Sequence, residues 1–83
     1  MKKILYFSAQ WCGPCKILGP VMDKLSTEGL PIQKIDVDSD PQMSAKYGVK
    51  SIPCLVLVDN VGNEIKRSVG NKPAGEIKNW YNN

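Results

Sequence analysis

Two cysteines separated by two residues are the side chains of this sequence best suited to covalent chemistry. Cys12 and Cys15 enclose Gly13 and Pro14, and Trp11 precedes them. A thiol attacks only as its thiolate, and its pKa of about 8.5 falls where a helix N-terminus offers free N–H groups and a positive dipole end. The pattern predicts that Cys12 is a nucleophile and that Cys15, within disulfide reach and less exposed, resolves the product.

A metal site is the alternative interpretation of this spacing. A closed zinc site needs four ligands, whereas the sequence contains no histidine and only one further cysteine, Cys54. Catalytic arrangements that combine serine or cysteine with histidine are excluded for the same reason. We therefore expect no metal within one chain, and an ion that bridges two chains stays open as an alternative.

The elements that must position the pair begin with a strand and a helix. Apolar side chains on both faces predict a buried strand over Lys2 to Phe7. After Gly13 and Pro14, apolar residues recur at spacings of three and four, which predicts a helix that ends at Gly29. Pro20 lies inside this pattern and lacks a backbone donor, so we expect a kink or a local break there.

The rest of the chain continues as alternating strands and helices. The pattern predicts strands over Pro31 to Asp38, Cys54 to Val58 and Glu64 to Val69, and helices over Pro41 to Tyr47 and Pro73 to Tyr81. The fold class is therefore α/β, with the order β-α-β-α-β-β-α in a single domain over residues 1–83. The first strand–helix–strand unit should be parallel and the last two strands antiparallel, which gives a mixed four-stranded sheet with flanking helices.

Charge and hydropathy limit the surroundings in which the chain works. Its net charge of +3 comes from ten lysines and Arg67, which are scattered without a basic run, so we expect no nucleic-acid partner. The longest apolar run, Cys54 to Val58, is far shorter than the roughly 20 residues of a membrane span. The apolar stretch near the N-terminus is too short for a signal peptide. We expect a cytoplasmic protein without a membrane partner.

The cysteine pair and a later proline together carry a resemblance to a known family. The run from Trp11 to Lys16, placed between a strand and a helix, and the run from Ser51 to Pro53 resemble the thioredoxin family. The resemblance covers nearly the whole chain, which lacks the extra N-terminal strand and helix of full-length members. It implies a thioredoxin-like fold and a thiol-disulfide oxidoreductase that reduces protein disulfides through Cys12 and Cys15.

The resemblance also implies a substrate-binding surface beside the cysteines. Pro53 would be a cis-proline that faces the pair, a conformation that X–Pro bonds adopt at modest cost. The implied apolar rim consists of Trp11, Gly13, Pro14, Ile52, Pro53, Val69 and Gly70. Ordinary hydrophobic packing is the alternative for Ile52 and Val69.

Three positions depart from the family pattern. Tyr6 stands where the family has a buried acid that takes a proton from the second cysteine, so we expect a core tyrosine whose hydroxyl needs a partner. Lys34 matches the lysine that pairs with that acid, and we expect it to be solvated. Cys54 follows Pro53 directly and should be a small buried hydrophobic residue, with a third redox thiol as the alternative.

The expected mechanism and partners follow from the resemblance. Cys12 attacks a target disulfide and Cys15 then attacks Cys12, with the redox-active disulfide as the only cofactor. The implied partners are disulfide-containing proteins such as ribonucleotide reductase and a thioredoxin reductase that donates electrons, and we expect a monomer. A glutathione-dependent, glutaredoxin-like reductant and a redox-independent binding subunit are the alternatives. Gly13 and Pro14 argue against the first, since glutaredoxins carry a different dipeptide.

Overall fold

A four-stranded mixed sheet with helices on both faces forms the computed structural model, which describes all residues 1–83. In chain order the elements are β1 Lys3–Ser8, α1 Gly13–Thr27, β2 Ile32–Asp36, α2 Pro41–Lys46, β3 Cys54–Val58, β4 Glu64–Val69 and α3 Ala74–Asn82. The strands lie in the order β2-β1-β3-β4, with β1 and β2 parallel and the other neighbours antiparallel. The predicted fold class and element order are confirmed.

Strand β1 lies inside the sheet and contributes to the core on both sides. Ile4 and Tyr6 pack with side chains of α1 and α3, whereas Leu5 and Phe7 pack on the opposite face with side chains of β3. This alternation follows from the two-residue period of a strand. All four side chains are almost fully buried, so the end of β1, from which the chain leads to the cysteine pair, is anchored from two sides.

Helix α1 runs through Pro20 without interruption. Its buried side chains, Cys15, Leu18, Met22 and Leu25, recur at the predicted spacings of three and four. The local break that we considered at Pro20 is therefore absent, because the apolar face on either side of the proline is held in the same core. With 15 residues, α1 is the longest helix, and no helix combines the length and apolar content of a membrane span.

The ends of β1, α1, β2, α2 and α3 differ from the prediction by one or two residues; α1, for example, ends at Thr27 rather than Gly29. Strand β2 ends at Asp36 rather than Asp38, because the Asp36 carboxylate accepts hydrogen bonds from the N–H groups of Asp38 and Ser39 and turns the chain. Helix α2 begins, as predicted, behind Asp40, whose carboxylate accepts from the N–H of Met43 at 3.3 Å. This turn brings the segment after β2 beside the segment after β1.

The last hairpin and helix α3 complete the sheet and cover one face. The Asp59 carboxylate accepts from the N–H groups of Val61 and Asn63, which closes the turn between β3 and β4. Ile77 of α3 is fully buried in the same core as Tyr6, and Trp80 packs against that core. Helix α3 therefore flanks the sheet, as predicted.

Candidate active site

The cysteine pair lies at the N-terminus of α1, in the turn that leaves β1. Cys12 is the N-cap residue of α1, and Cys15 lies in its first turn. The two residues form a disulfide, with their Cα atoms 5.2 Å apart. The N–H of Cys12 donates to the carbonyl of Ala9 at 3.2 Å, which fixes the turn. Strand, turn and helix together place both sulfurs at the end of a rigid scaffold.

The start of the helix provides a local field that favours negative charge on Cys12. The Sγ of Cys12 accepts a hydrogen bond from the N–H of Cys15 at 3.2 Å, so the sulfur itself caps the helix. No acidic side chain lies in the first turn of α1 to oppose the dipole. A thiolate at this cap gains a charge-assisted hydrogen bond and a dipole interaction of about 0.3–1 kcal/mol. Both effects favour a thiolate over a thiol in this position.

The two cysteines are equally buried, which corrects one expectation from the sequence. Cys12 and Cys15 are each 4% exposed, so Cys15 is not the less exposed of the two. The disulfide draws both sulfurs together, and the cap turns the Sγ of Cys12 inward toward the helix. Position on the helix, rather than exposure, distinguishes them in the disulfide form.

The loop between α2 and β3 packs against the pair. Ile52 contacts the small buried cluster formed by Ala9 and the two cysteines. The Ile52–Pro53 peptide bond is cis, as the resemblance implied, and the carbonyl of Pro53 accepts from the N–H of Gly70 at 2.9 Å. Pro53 is fully buried, so within the implied rim it holds the neighbouring residues in place and offers no exposed surface of its own.

Several implied rim residues are exposed next to this cluster. Trp11 is 67% exposed and Val69 is 51% exposed, and both Gly13 and Pro14 face solvent. Val69 pairs in the sheet with Cys54, the residue that follows Pro53 in the chain. The exposure of Trp11 and Val69 leaves both side chains accessible to a partner.

Trp11 has a partner that the sequence analysis missed. Its indole Nε1–H donates to the Asp38 carboxylate at 2.7 Å. Val37, the neighbour of Asp38, packs against the cysteine cluster. The parallel register, with Ser8 opposite Asp36, carries the segment after β2 alongside the segment after β1. The contact follows from this register, which the sequence alone does not show.

Tyr6 packs against the active-site helix. It stands at the position where the resemblance implies a buried acid. It is 2% exposed, and its hydroxyl donates to the carbonyl of Cys15 at 3.2 Å. The predicted core position and the predicted need for a partner are both confirmed. Burial raises the pKa of the Tyr6 hydroxyl above its usual 10.0, so the group stays protonated at neutral pH.

Lys34 is solvated, as predicted, but it has a partner. Its ammonium forms an ion pair with the carboxylate of Asp23, which lies on α1. The two side chains are 55% and 59% exposed, so the pair contributes less than about 1 kcal/mol. Asp23 of α1 is therefore the partner of Lys34 in place of the acid that the family has at the position of Tyr6.

Cys54 is a packing residue in the core. It is 1% exposed, has a free thiol and lies in a cluster with Phe7, Ile35 and Val56. Burial raises the pKa of the Cys54 thiol, which disfavours the reactive thiolate. The predicted role as a small buried hydrophobic residue is confirmed by this environment.

No group of three or more histidine, cysteine, aspartate or glutamate side chains is arranged to hold a metal ion. The chemistry that the site offers is that of its sulfur atoms. A dithiol at a helix N-terminus can attack a disulfide, form a mixed disulfide and close to an internal disulfide.

Comparisons with known proteins give one consistent result. The family model described as Thioredoxin matches residues 1–83. The chain is 49% identical over 72 residues to thioredoxin from Chlamydia trachomatis, covering 83% of this chain and 69% of the relative. It is 43% identical over 79 residues to thioredoxin from Bacillus subtilis, covering 92% and 75%.

Solved structures agree with the sequence relatives. A mutant thioredoxin from Halobacterium salinarum superposes with a TM-score of 0.87 at 33% identity, over 96% of this chain and 71% of that one. Thioredoxin from Fasciola hepatica gives a TM-score of 0.87 at 30% identity, over 98% of this chain and 78% of that one.

Proposed function

The chain belongs to the thioredoxin family and is a thiol-disulfide oxidoreductase, and we propose that it acts as a reductant with Cys12 as nucleophile and Cys15 as resolving thiol. The observation that carries these roles is the position of Cys12 as N-cap of α1, with its Sγ accepting from the N–H of Cys15. Only the cap residue combines this hydrogen bond with the helix dipole.

The reaction proceeds by two thiol-disulfide exchanges. The Cys12 thiolate attacks one sulfur of the target disulfide, and the other target sulfur leaves as a thiolate. Cys15 then loses its proton and attacks the Sγ of Cys12, which breaks the bond to the target and releases its second thiolate. The target gains two electrons and two protons, and the protein ends with the Cys12–Cys15 disulfide found in the structure.

We propose that a docking rim positions the target disulfide over Cys12. The rim is defined as Trp11, Gly13, Pro14, Ile52, Pro53, Val69 and Gly70. Support comes from the exposure of Trp11 and Val69 and from the contact of Ile52 with the cysteine cluster. The hydrogen bond from the N–H of Gly70 to the carbonyl of Pro53 joins two of the three segments that bear the rim.

The partners and surroundings are part of the same proposal. The substrates are disulfide-containing proteins, ribonucleotide reductase among them, and the electron donor is a thioredoxin reductase. The protein works as a monomer, folds as one domain over residues 1–83, and needs no metal or other cofactor besides its redox-active disulfide. A cytoplasmic location fits this role, because a reducing compartment keeps the dithiol ready to act. The glutaredoxin-like and binding-subunit alternatives are not favoured.

Reduction of insulin disulfides, with dithiothreitol as electron source, tests the proposed function. Wild type should accelerate the reduction, and Cys12→Ser should abolish the acceleration because no nucleophile remains. Cys54→Ser is the matched control, since it makes the same chemical change in the core. Equal activity of Cys12→Ser and wild type, or loss of activity in Cys54→Ser with the fold retained, would contradict the proposed roles.

A further inference from the structure

Ile17 is an exposed isoleucine in the second turn of the active-site helix α1. Its side chain is 68% exposed, and it neither belongs to a buried cluster nor packs against one. Exposed apolar residues that occur singly are common, so this exposure alone indicates no role. The neighbours of Ile17 on the helix therefore have to show whether it is part of a larger surface.

The nearest neighbours of Ile17 on the helix surface are all apolar. Residues three and four positions away lie on the same face of a helix, and for Ile17 these are Gly13, Pro14, Pro20 and Val21. The first three of them are exposed. We call the exposed residues Gly13, Pro14, Ile17 and Pro20 the α1 stripe. Its first two members also belong to the docking rim, so the stripe continues that rim along the helix.

The α1 stripe is confined to the part of the helix next to the cysteine pair. Val21 is half-buried and packs against the core, and Asp23 and Lys24 are exposed and charged. Before them, Lys16 is the only charged residue of the helix. The exposed face of an amphipathic helix is normally polar along its length. The exposed apolar residues of α1 are therefore a local feature that borders the active site.

Ile17 lies within reach of a polypeptide that is bonded to Cys12. It follows the N-cap by five positions, which is about 7.5 Å along the helix axis at about 1.5 Å per residue. An extended polypeptide advances about 3.3 Å per residue. A side chain two or three residues from the attacked cysteine of the target therefore spans the distance to Ile17.

We propose that Ile17 is a specificity-determining residue that binds an apolar side chain of the target, two or three residues from the attacked cysteine. The inference rests on the proposed function, in which Cys12 is the nucleophile. The occupant is the target segment itself, because the α1 stripe continues the docking rim and the Ile17 side chain offers neither charge nor a hydrogen bond. Contact with an apolar side chain removes the exposed surface of Ile17 from water, whereas a polar side chain would lose its own hydration there.

Synthetic peptides that carry a single cysteine joined to thionitrobenzoate test this preference. The Cys12 thiolate of the reduced protein attacks the peptide sulfur, the peptide becomes bonded to Cys12, and thionitrobenzoate leaves because its thiol has the lower pKa. Its absorbance gives the rate constant of this first exchange. The reference peptide has serine at every position around the cysteine. Four other peptides each carry one leucine, placed two or three residues before or after the cysteine.

The quantity compared is the rate constant for a leucine peptide divided by that for the reference peptide. In wild type this ratio should be about tenfold for at least one leucine position, the effect of burying one apolar side chain. In Ile17→Ser it should fall to about twofold or less. Ile65→Ser is the matched control, because Ile65 is 52% exposed near the start of β4, whereas Val69 of the docking rim ends that strand. This control should keep the wild-type ratio.

The possible results separate the role of Ile17 from the proposed function. A ratio near one for all four leucine peptides in wild type, or an unchanged ratio in Ile17→Ser, would overturn the role of Ile17 and leave the roles of the cysteines intact. An equal fall of the ratio in Ile65→Ser would also overturn it, because the loss would then not depend on the α1 stripe. If folded, reduced wild type released no thionitrobenzoate from any peptide, or if Cys12→Ser released it at the wild-type rate, the proposed function would fail and this inference with it.

Discussion

Replacement of Tyr6 by phenylalanine removes a buried hydrogen bond between the sheet and the active-site helix. The Tyr6 side chain is 2% exposed, and its hydroxyl donates to the carbonyl of Cys15 at 3.2 Å. A hydrogen bond of this kind contributes about 1 kcal/mol net, and phenylalanine fills the volume of the ring, so little cavity cost is added. We expect the free energy of unfolding of the disulfide form to fall by about 1 kcal/mol, which corresponds to about 4–8 °C in Tm for a chain of this size.

The same substitution should change the alkaline limb of the stability profile. Burial raises the pKa of Tyr6 above 10.0, so the folded protein holds this proton more tightly than the unfolded chain does. The resulting contribution is complete below the unfolded pKa of about 10 and is lost as the pH rises through the raised folded pKa. The stability advantage of wild type over Tyr6→Phe should therefore shrink at strongly alkaline pH.

Urea unfolding followed by far-ultraviolet circular dichroism, at neutral and at alkaline pH, measures both effects. Tyr81→Phe is a matched control, because its hydroxyl donates to the carbonyl of Lys2 at 3.3 Å in a half-buried position. It should cost less than Tyr6→Phe. Equal stability of Tyr6→Phe and wild type at neutral pH would refute the assigned hydrogen bond. A difference that stays constant into the alkaline range would refute the contribution of burial.

Substitutions at three further positions test separate parts of the structure. Cys54→Ser buries a hydroxyl in an apolar cluster, so the free energy of unfolding in urea should fall by about 1–3 kcal/mol while insulin reduction stays unchanged. An unchanged free energy of unfolding would contradict the core position of Cys54. Asp40→Ala removes the N-cap of α2, so the free energy of unfolding, measured by thermal unfolding, should fall by about 1 kcal/mol. Asp40→Asn keeps an acceptor oxygen and should lower this free energy by less. Equal losses of stability in the two variants would contradict the assigned cap. Glu64→Gln weakens the contact with Arg67, which holds the pKa of the Glu64 carboxyl below its usual value. The contribution of this pair is present above the unfolded pKa and lost as the pH falls through the lowered pKa, so an acid titration of stability should be flatter in the variant.

The order and type of the elements could be predicted because their signals act over a few residues. Apolar side chains on both faces of β1 reflect its inner position in the sheet. Asp40 followed by Pro41 is a local signal for the start of a helix, and α2 begins there. The cysteine pair was found in the same way, since its spacing and the following helical pattern are local. The cis bond before Pro53 came from the resemblance to the family and not from a local signal.

Contacts between distant segments could not be predicted in the same way. The bond from Trp11 to Asp38 depends on the register of β1 and β2, and the ion pair of Lys34 with Asp23 depends on how α1 lies over the edge strand. The equal burial of Cys12 and Cys15 depends on the closed disulfide. Each of these features is set by packing of the whole fold, which no short window of sequence contains.

The site of the mixed disulfide is the most direct test of the central claim that the N-cap cysteine is the nucleophile. Cys15→Ser removes the resolving thiol, so reaction with a disulfide-containing peptide should stop at a stable mixed disulfide, and mass spectrometry of a digest should locate the peptide on Cys12. Cys12→Ser should trap little or no peptide under the same conditions. Peptide attached to Cys15 in Cys12→Ser at the rate seen for Cys12 in Cys15→Ser would contradict the account, because the helix cap would then confer no advantage on Cys12.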